Sequence, residues 1–143
     1  MAGKVNFELV SPARILVSEA VDMVVIPGAE GDFGVLPNHA PLISSIRPGT
    51  IAVYEGSAVV ERIFIAGGFA EVTPDRCTVL ADEAVNVTEL DRGAAEAEQR
   101  AADAALAGYS AEGDTNQSRL HALQRAQAVA AAKLQAFAQR AEH

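Results

Sequence analysis

The residues best suited to chemistry lie in one short stretch, GDFGVLPNHAPL at 31–42, which holds Asp32 and the first histidine, His39. A carboxylate and an imidazole close together could transfer protons or bind a metal ion. The other two histidines, at 121 and 143, lie in the second half of the chain, and no H-x-H or H-E-x-x-H spacing occurs. The stretch therefore favours a surface that another molecule contacts over a catalytic or metal site.

The other nucleophiles do not form an enzyme motif. Cys77 begins a run of alternating apolar residues, which is typical of a structural thiol in a strand. No serine lies in a G-x-S-x-G setting, and Gly67-Gly68 is not followed by the G-K ending of a phosphate loop. We therefore expect no catalytic residue and no metal ligand.

Prolines and glycines predict that the stretch at 31–42 is a rigid loop. Pro37 and Pro41 fix two backbone angles, while Gly31 and Gly34 permit sharp turns. A rigid exposed loop of mixed polarity is suited to docking.

Composition limits the classes of function. With 143 residues, half of them hydrophobic, the chain can form one full domain and an appendage. A net charge of −8 argues against nucleic acid as a partner. A single cysteine excludes an internal disulfide and fits a reducing compartment. We also expect no targeting segment and no membrane insertion, because no apolar run approaches the roughly 18 residues that a span needs.

The chain divides into two compositional halves near residue 87. All six prolines lie at or before Pro74, whereas residues 89–143 contain 18 alanines and no proline. Proline and glycine between short β-branched runs predict strands, here at 5–10, 14–17, 21–26, 43–46, 51–54, 59–66, 70–72 and 77–81. Their spacing leaves no room for helical crossovers, which favours two packed antiparallel sheets or a flattened barrel. We predict a β-sandwich.

The second half predicts two helices, at about 89–107 and 115–141. Thr88 to Asp91 resembles a capping box, Gly108 would end the first helix, and Asp114 or Thr115 could cap the second. The predicted seam is thin, with Leu90, Ala94, Ala97, Ala101 and Ala104 facing Leu120, Leu123, Ala130, Leu134, Phe137 and Ala141. Residues 89–107 carry a net charge of −3 and residues 119–143 a net charge of +3, so the helices attract each other. We expect a marginally stable hairpin that can open.

Two segments carry a family resemblance. EGDFGVLPNHAPLISSIRPGT at 30–50 and FIAGGFAEVTPDRCTVLADEA at 64–84, followed by the two-helix tail, resemble the epsilon subunit of bacterial F-type ATP synthase. The resemblance implies a β-sandwich of about ten strands at 1–87 followed by an antiparallel α-helical hairpin at 88–143. It also implies a non-catalytic rotor subunit of the central stalk that couples the gamma subunit to the polar loops of the membrane c-ring during proton-driven ATP synthesis. Its place would be peripheral, on the cytoplasmic face of the plasma membrane.

The resemblance also implies roles for individual residues. Asp32 and His39, with Glu30, Gly31 and Phe33 beside them, would lie against the c-ring. The basic residues of the second helix would contact alpha and beta subunits through an extended, inhibitory tail; they are Arg119, Arg125, Lys133 and Arg140.

The tail also partly matches an ATP-binding motif of the family. Leu90, Asp91 and Ala95 match the [IL]-D-x-x-R-A pattern, but Ala94 stands in place of its arginine. Asp91 is equally explained as a helix cap. We therefore predict no cofactor, with ATP binding by the tail left as an alternative.

A second interpretation does not place the chain in a multi-subunit complex. A free-standing β-sandwich that senses a ligand or acts as an adaptor, with a helical tail, would explain the composition equally well.

Overall fold

The computed structural model describes residues 3–113 and 116–140, without the side chains of 110–112 and 140. Its contacts divide the chain into two compact units, Met1–Val87 and Thr88–His143. Neither helix in the described part of the chain is long and apolar enough to cross a membrane.

The first unit is built from ten strands, the number that the resemblance implied. They are β1 (Val5–Val10), β2 (Ile15–Val21), β3 (Met23–Gly28), β4 (Gly31–Val35), β5 (Leu42–Ile46), β6 (Gly49–Glu55), β7 (Ala58–Ile65), β8 (Gly68–Thr73), β9 (Arg76–Ala81) and β10 (Ala84–Asn86). The residue pattern alone missed β4 and β10. Gly31 and Gly34 weaken the strand signal of β4, and β10 has only three residues.

The strands form two five-stranded layers joined at one point. They follow the order β10-β7-β6-β3-β5-β8-β9-β1-β2, with β4 on β3, and β3 meets β5 through the single pair Gly28 and Ile46. One layer is therefore β10-β7-β6-β3-β4 and the other β5-β8-β9-β1-β2. This arrangement confirms the predicted sandwich.

The expectation of wholly antiparallel pairing is wrong for one pair of strands. β1 and β9 run parallel, from Asn6 beside Arg76 to Val10 beside Leu80. Parallel neighbours need a long connection. Here the intervening strands supply it, which the absence of a helical crossover could not reveal.

The core lies between the two layers. Alternate residues of the strands face inward, so that Phe7, Leu9, Ile26, Ile51 and Val53 are at most 1% exposed. Burying a large apolar side chain contributes about 1.5–3 kcal/mol, so this core dominates the stability of the sandwich. Close approach of β8 to β9 requires a glycine at the start of β8: Gly68 has φ 145°, and a Cβ there would lie 2.0 Å from the Leu80 carbonyl oxygen.

The second unit contains two helices, α1 (Arg92–Glu112) and α2 (Gln117–Arg140), preceded by a 3-10 turn at Val87–Glu89. Both predicted bounds of the first helix are wrong. It starts at Arg92 because the Asp91 carboxylate caps it, accepting a hydrogen bond from the Gly93 amide at 3.0 Å. It continues through Gly108 and ends at Gly113, whose φ of 65° suits a helix C-terminus.

The second helix is capped by Asn116, whose side-chain oxygen accepts a hydrogen bond from the Arg119 amide at 3.1 Å. The caps predicted at 114 and 115, and the predicted end at 141, lie outside the described residues. Tyr109, predicted to lie in a flexible link, is instead 6% exposed, and its hydroxyl donates to the Asn116 carbonyl at 3.2 Å.

The face that α1 buries differs from the predicted one. Ala94, Ala97, Ala101 and Ala104 are exposed, whereas the shielded residues recur at three- and four-residue steps: Ala95, Gln99, Ala102, Leu106 and Tyr109. An alanine-rich helix has methyl groups on every side, so alanine positions alone could not select the face. On α2 the predicted Leu120, Leu123, Ala130, Leu134 and Phe137 are all shielded to some degree.

Two acids face the core side of opposite layers. Glu61 of β7 pairs with Val53, and Glu19 of β2 pairs with Phe7, so both lie on the same side of their sheets as core residues. Partial burial, followed by the negative charge of Glu19, raises the pKa of Glu61 above its ordinary value of 4.5. The charged form of Glu61 therefore destabilises the sandwich.

Glu61→Gln should stabilise the protein at neutral pH and lose that advantage in acid. A carboxyl whose pKa is raised on folding favours the folded state below its unfolded pKa and loses that contribution as pH rises. We expect a gain of up to about 1 kcal/mol at pH 7, the scale of partly exposed charge interactions. Urea unfolding at pH 7 and below pH 4.5 measures it. Glu71→Gln, on an exposed position of β8, should show no such difference; equal gains at both pH values for Glu61→Gln would contradict the prediction.

Candidate docking surfaces

The stretch predicted as one rigid loop is a strand followed by a short loop. Residues 31–35 form β4, which pairs along β3 from Gly28 beside Gly31 to Val24 beside Val35. A tight turn at Ala29 and Glu30 connects the two strands, and Gly31 leaves it with φ 138°. The loop proper covers 36–41. The turn and its flanking residues, 28–32, are called the hairpin tip below.

The structure separates the five residues assigned to c-ring docking. Glu30, Gly31 and Asp32 belong to the hairpin tip, which contacts β5 through the amide of Ala29 and the carbonyl of Ser45 at 2.9 Å. His39 lies beyond the other end of β4, where the Asn38 amide donates to Pro74 at 2.6 Å. The four steps from Gly31 to Val35 span about 13 Å at about 3.3 Å per residue. The tip and His39 therefore lie at opposite ends of the sandwich.

An ion pair holds the hairpin tip in place. The Arg47 guanidinium donates to the Asp32 carboxylate and to the Gly28 carbonyl, both at 2.5 Å. Gly28 itself is closely enclosed, because a Cβ there would lie 2.7 Å from the Gly31 carbonyl oxygen. Glu30 is exposed and makes no ion pair with any residue that the structure describes. The tip is therefore a shaped surface with one unpaired carboxylate.

His39 belongs to a locally ordered loop. Its amide donates to the Leu36 carbonyl at 3.2 Å, and its ring Nδ1 lies 2.7 Å from the Ala40 carbonyl oxygen. The preceding Asn38 adopts φ 67°, a conformation in which asparagine is enriched. These contacts explain His39 as a residue that shapes its loop.

The apolar residues of the stretch face different ways. Phe33 is half-buried against the core, and Val35 is fully buried within it. Leu36 alone of the three is largely exposed, at 53%.

An exposed apolar surface lies outside the sites predicted from the sequence. On the outer face of the second layer, the strand registers align Phe69 with Leu80, Leu80 with Val10, and Val10 with Ile15. These four residues, called the apolar row below, cross β8, β9, β1 and β2 side by side. Phe69, Leu80 and Ile15 are 55–60% exposed. A continuous apolar row on an outer sheet face is typical of an interaction site.

A mixed row runs beside the apolar row. Ile43, 72% exposed, pairs with Glu71, which pairs with Thr78, and Thr78 pairs with Glu8.

The apolar row lies near the same end of the sandwich as the hairpin tip. Phe69 follows Gly68, which pairs with Ile46, and Ile46 pairs with Gly28 of the tip. A sequence signal for the apolar row does exist. Each of its four strands has consecutive apolar residues where strict alternation would place a polar residue on the outer face.

The three residues of the ATP-like motif are used structurally. Asp91 caps α1, Ala95 is 3% exposed, and Leu90 is half-buried. The helical unit has a cleft of about 730 Å³ elsewhere, lined by Arg92, Glu96, Gln99, Arg100, Leu134, Phe137 and Ala138. Arg92 in that cleft is paired with Glu96 at 2.8 Å.

The basic residues of α2 have different surroundings. Lys133 is turned into the seam, with its side chain 14% exposed, and donates to both oxygens of Glu98 at 3.1 and 3.2 Å. The Arg119 guanidinium lies 5.9 Å from the centre of the Tyr109 ring. Arg125 is exposed, and the side chain of Arg140 lies outside the described residues.

Cys77 is a structural thiol, as predicted. It is fully buried in β9 within the core cluster, and burial raises its pKa to about 12. A thiol so seldom ionised is a poor nucleophile.

The sandwich matches a family model. Residues 4–87 match the model described as ATP synthase, Delta/Epsilon chain, beta-sandwich domain. This span covers the whole first unit from β1 through β10.

Relatives match further along the chain. The ATP synthase epsilon chain of Rhodospirillum rubrum is 60% identical over 103 residues, which is 72% of this chain and 77% of the relative. That of Parvibaculum lavamentivorans is 50% identical over 123 residues, or 86% and 92%. Among solved structures, a chain of the Euglena gracilis mitochondrial ATP synthase OSCP/F1/c-ring assembly has the same fold, with TM-score 0.76, 21% identity and coverage of 100% of this chain and 84% of that one.

We expect no saturable ATP binding by the full chain. The Asp91 carboxylate already caps α1, and Ala94 stands in place of the arginine of the motif. Isothermal titration with ATP measures this. Saturable heat that disappears in an Asp91→Ala variant would contradict the prediction; a Thr88→Ser variant is the control for changes near the helix start.

Proposed function

The chain belongs to the family of ATP synthase epsilon chains, which are non-catalytic subunits, and from that premise we propose that it joins the gamma subunit to the membrane c-ring. As a rotor subunit of the central stalk, it would carry rotation between them during proton-driven ATP synthesis. The alternative of a free-standing sensing module has no support from this family membership.

The apolar row carries the proposal. A subunit must bury apolar area against its neighbour, and the described surface offers Phe69, Leu80, Val10 and Ile15 in register on one sheet face. Each large side chain buried there would contribute about 1.5–3 kcal/mol. The flanking Glu8 and Glu71 suit a polar rim. We assign this face to the gamma subunit.

The hairpin tip is the surface we assign to the polar loops of the c-ring. It lies near the same end of the sandwich as the apolar row, so one rigid domain could contact both partners. The tip is held by hydrogen bonds from Ala29 and Arg47, and the exposed Glu30 suits basic partner groups. His39, at the opposite end, would not share this contact.

The rigid sandwich suits the transmission of torque. A flexible domain would deform elastically under torque instead of transmitting it. Two sheets packed on a dense core deform little. The proposed location follows from these partners: the protein would lie peripherally at the membrane, on its cytoplasmic face.

Glutamate in the apolar row should weaken binding to the gamma subunit. Phe69→Glu and Leu80→Glu would each place a charge in the interface and remove apolar burial, so we expect at least about tenfold weaker affinity, since about 1.4 kcal/mol is tenfold. Titration of the full chain with purified gamma subunit measures this. Val60→Glu is the matched control, because Val60 is 56% exposed on β7 of the other layer. Equal affinity for all three variants would exclude this face as the gamma contact.

The helical unit is the proposed regulatory part. Its seam combines small side chains with two polar links: Lys133 to Glu98, and Gln127 to Asp103 at 2.7 Å. Each link has a solvent-exposed acid, Glu98 or Asp103, and pairs at the surface contribute about 0–1 kcal/mol each. The hairpin could therefore open at a modest cost in free energy. Opening would free the net positive charge of α2 for acidic surface on the alpha and beta subunits, through residues such as Arg119, Arg125 and Arg140, and so inhibit ATP hydrolysis.

Loss of the two seam links should strengthen inhibition. Glu98→Gln with Asp103→Asn would favour the open hairpin, and hydrolysis by the assembled complex should fall several-fold. Removal of residues 89–143 should raise hydrolysis above the level of the full chain. Glu89→Gln, a change outside α1, is the control. If neither the double variant nor the deletion changes the hydrolysis rate, the tail does not regulate this enzyme.

A further inference from the structure

Arg47 bonds to both strands of the β3–β4 hairpin. Its amide donates to the Pro27 carbonyl at 3.0 Å and its Nη1 to the Gly28 carbonyl at 2.5 Å, both on β3. Its Nη2 donates to the Asp32 carboxylate on β4 at 2.5 Å. A planar guanidinium can make two side-chain bonds at once in a fixed geometry, which a lysine ammonium does not match.

These bonds lie where the two layers join. Ile46, next to Arg47, forms the pair with Gly28 that links β5 to β3, and Ser45 accepts the amide of Ala29. The hairpin tip therefore cannot swing away from β5 without breaking the bonds of Arg47. This residue sets the angle at which the tip leaves the sandwich.

The two carboxylates of the hairpin tip are in different states. The Asp32 side chain is 61% exposed, but one of its oxygens is paired with Arg47, so the two opposite charges largely cancel at a distance. Glu30 is exposed in the turn and unpaired among residues 3–113 and 116–140. A basic partner approaching the tip would therefore meet the charge of Glu30.

We propose that Arg47 is a positioning residue for the hairpin tip, that Asp32 acts through its ion pair with Arg47, and that Glu30 is the carboxylate that contacts basic groups of the c-ring. This inference rests on the proposed docking of the tip on the ring. It divides the tip into a residue that binds and a pair that holds the binding residue in place.

Variants that change the charge of the Asp32–Arg47 pair in opposite directions can distinguish a positioning role from a direct electrostatic contact with the partner. Asp32→Asn makes the tip more positive, and Arg47→Gln makes it more negative. If the pair acted through its field on a basic partner, the two variants would change affinity in opposite directions. If the pair positions Glu30, both variants weaken binding, and so does Arg47→Lys, which keeps the positive charge but cannot make both side-chain bonds in the same geometry.

The measurement is the affinity of full-length variants for purified c-ring carrying the gamma subunit, over a range of salt concentrations. We expect Asp32→Asn, Arg47→Gln and Arg47→Lys each to weaken binding about tenfold. Glu30→Gln should weaken binding and flatten its salt dependence, because one ionic contact is lost. Arg76→Gln, at the opposite end of the sandwich, is the control for loss of one positive charge.

The outcomes distinguish this inference from the proposed function. Tighter binding by Arg47→Gln, or unchanged binding by Arg47→Lys, would overturn the positioning role while ring docking stands. Salt dependence unaltered by Glu30→Gln would overturn its assignment as the contacting carboxylate. If every tip variant binds like the parent protein, the tip does not meet the ring and the proposed docking itself fails.

Discussion

The first unit depends on how its two layers are tied together. Apolar packing between the layers provides most of the stability, but the hydrophobic effect is non-directional. The directional interactions are the hydrogen bonds where β3 meets β5. They comprise the strand pair of Gly28 with Ile46 and the bonds that Arg47 makes beside it. Gly28 is also enclosed by its own hairpin, where a Cβ would lie 2.7 Å from the Gly31 carbonyl oxygen, so glycine is required at position 28. This junction ties the hairpin tip to β5 of the other layer.

The two proposed interfaces use different physics. Binding at the apolar row would be driven by apolar area removed from water. The row exists only in the observed strand register, because a one-residue slip would move its side chains to the other face of the sheet. The hairpin tip offers little area, and depends on a fixed shape and one charge. A firm attachment to one neighbour and a lighter, charge-guided contact with another is a sensible division for a part that lies between two others.

Much of the architecture could be predicted from the sequence. Proline and alanine usage located the division near residue 87, and the alternating runs predicted a sandwich. What failed was decided by contacts distant in sequence. Glycines at 31, 34 and 108 suggested turns, yet pairing with β3 and the helical backbone around Gly108 override that preference. The buried face of α1 was not predictable because alanine does not distinguish its sides.

The docking surfaces were predicted less well for the same reason. The sequence located the stretch at 31–42 but could not divide it between two ends of a sheet, and it could not show that Asp32 is held by a residue fifteen positions away. The apolar row is built from four strands that each contribute one residue, so the row itself becomes visible only when the strand register is known.

The parallel pairing of β1 with β9 has a consequence for biosynthesis. The first strand made on the ribosome takes its place between β2 and a strand made some seventy residues later, so the second sheet cannot close until nearly the whole domain has emerged. Contacts this distant slow folding, because chain entropy is lost before they form. Until then, one edge of the nascent hairpin stays open to other strands. The second layer, with the apolar row on its outer face, can therefore form only after nearly the whole domain has been made.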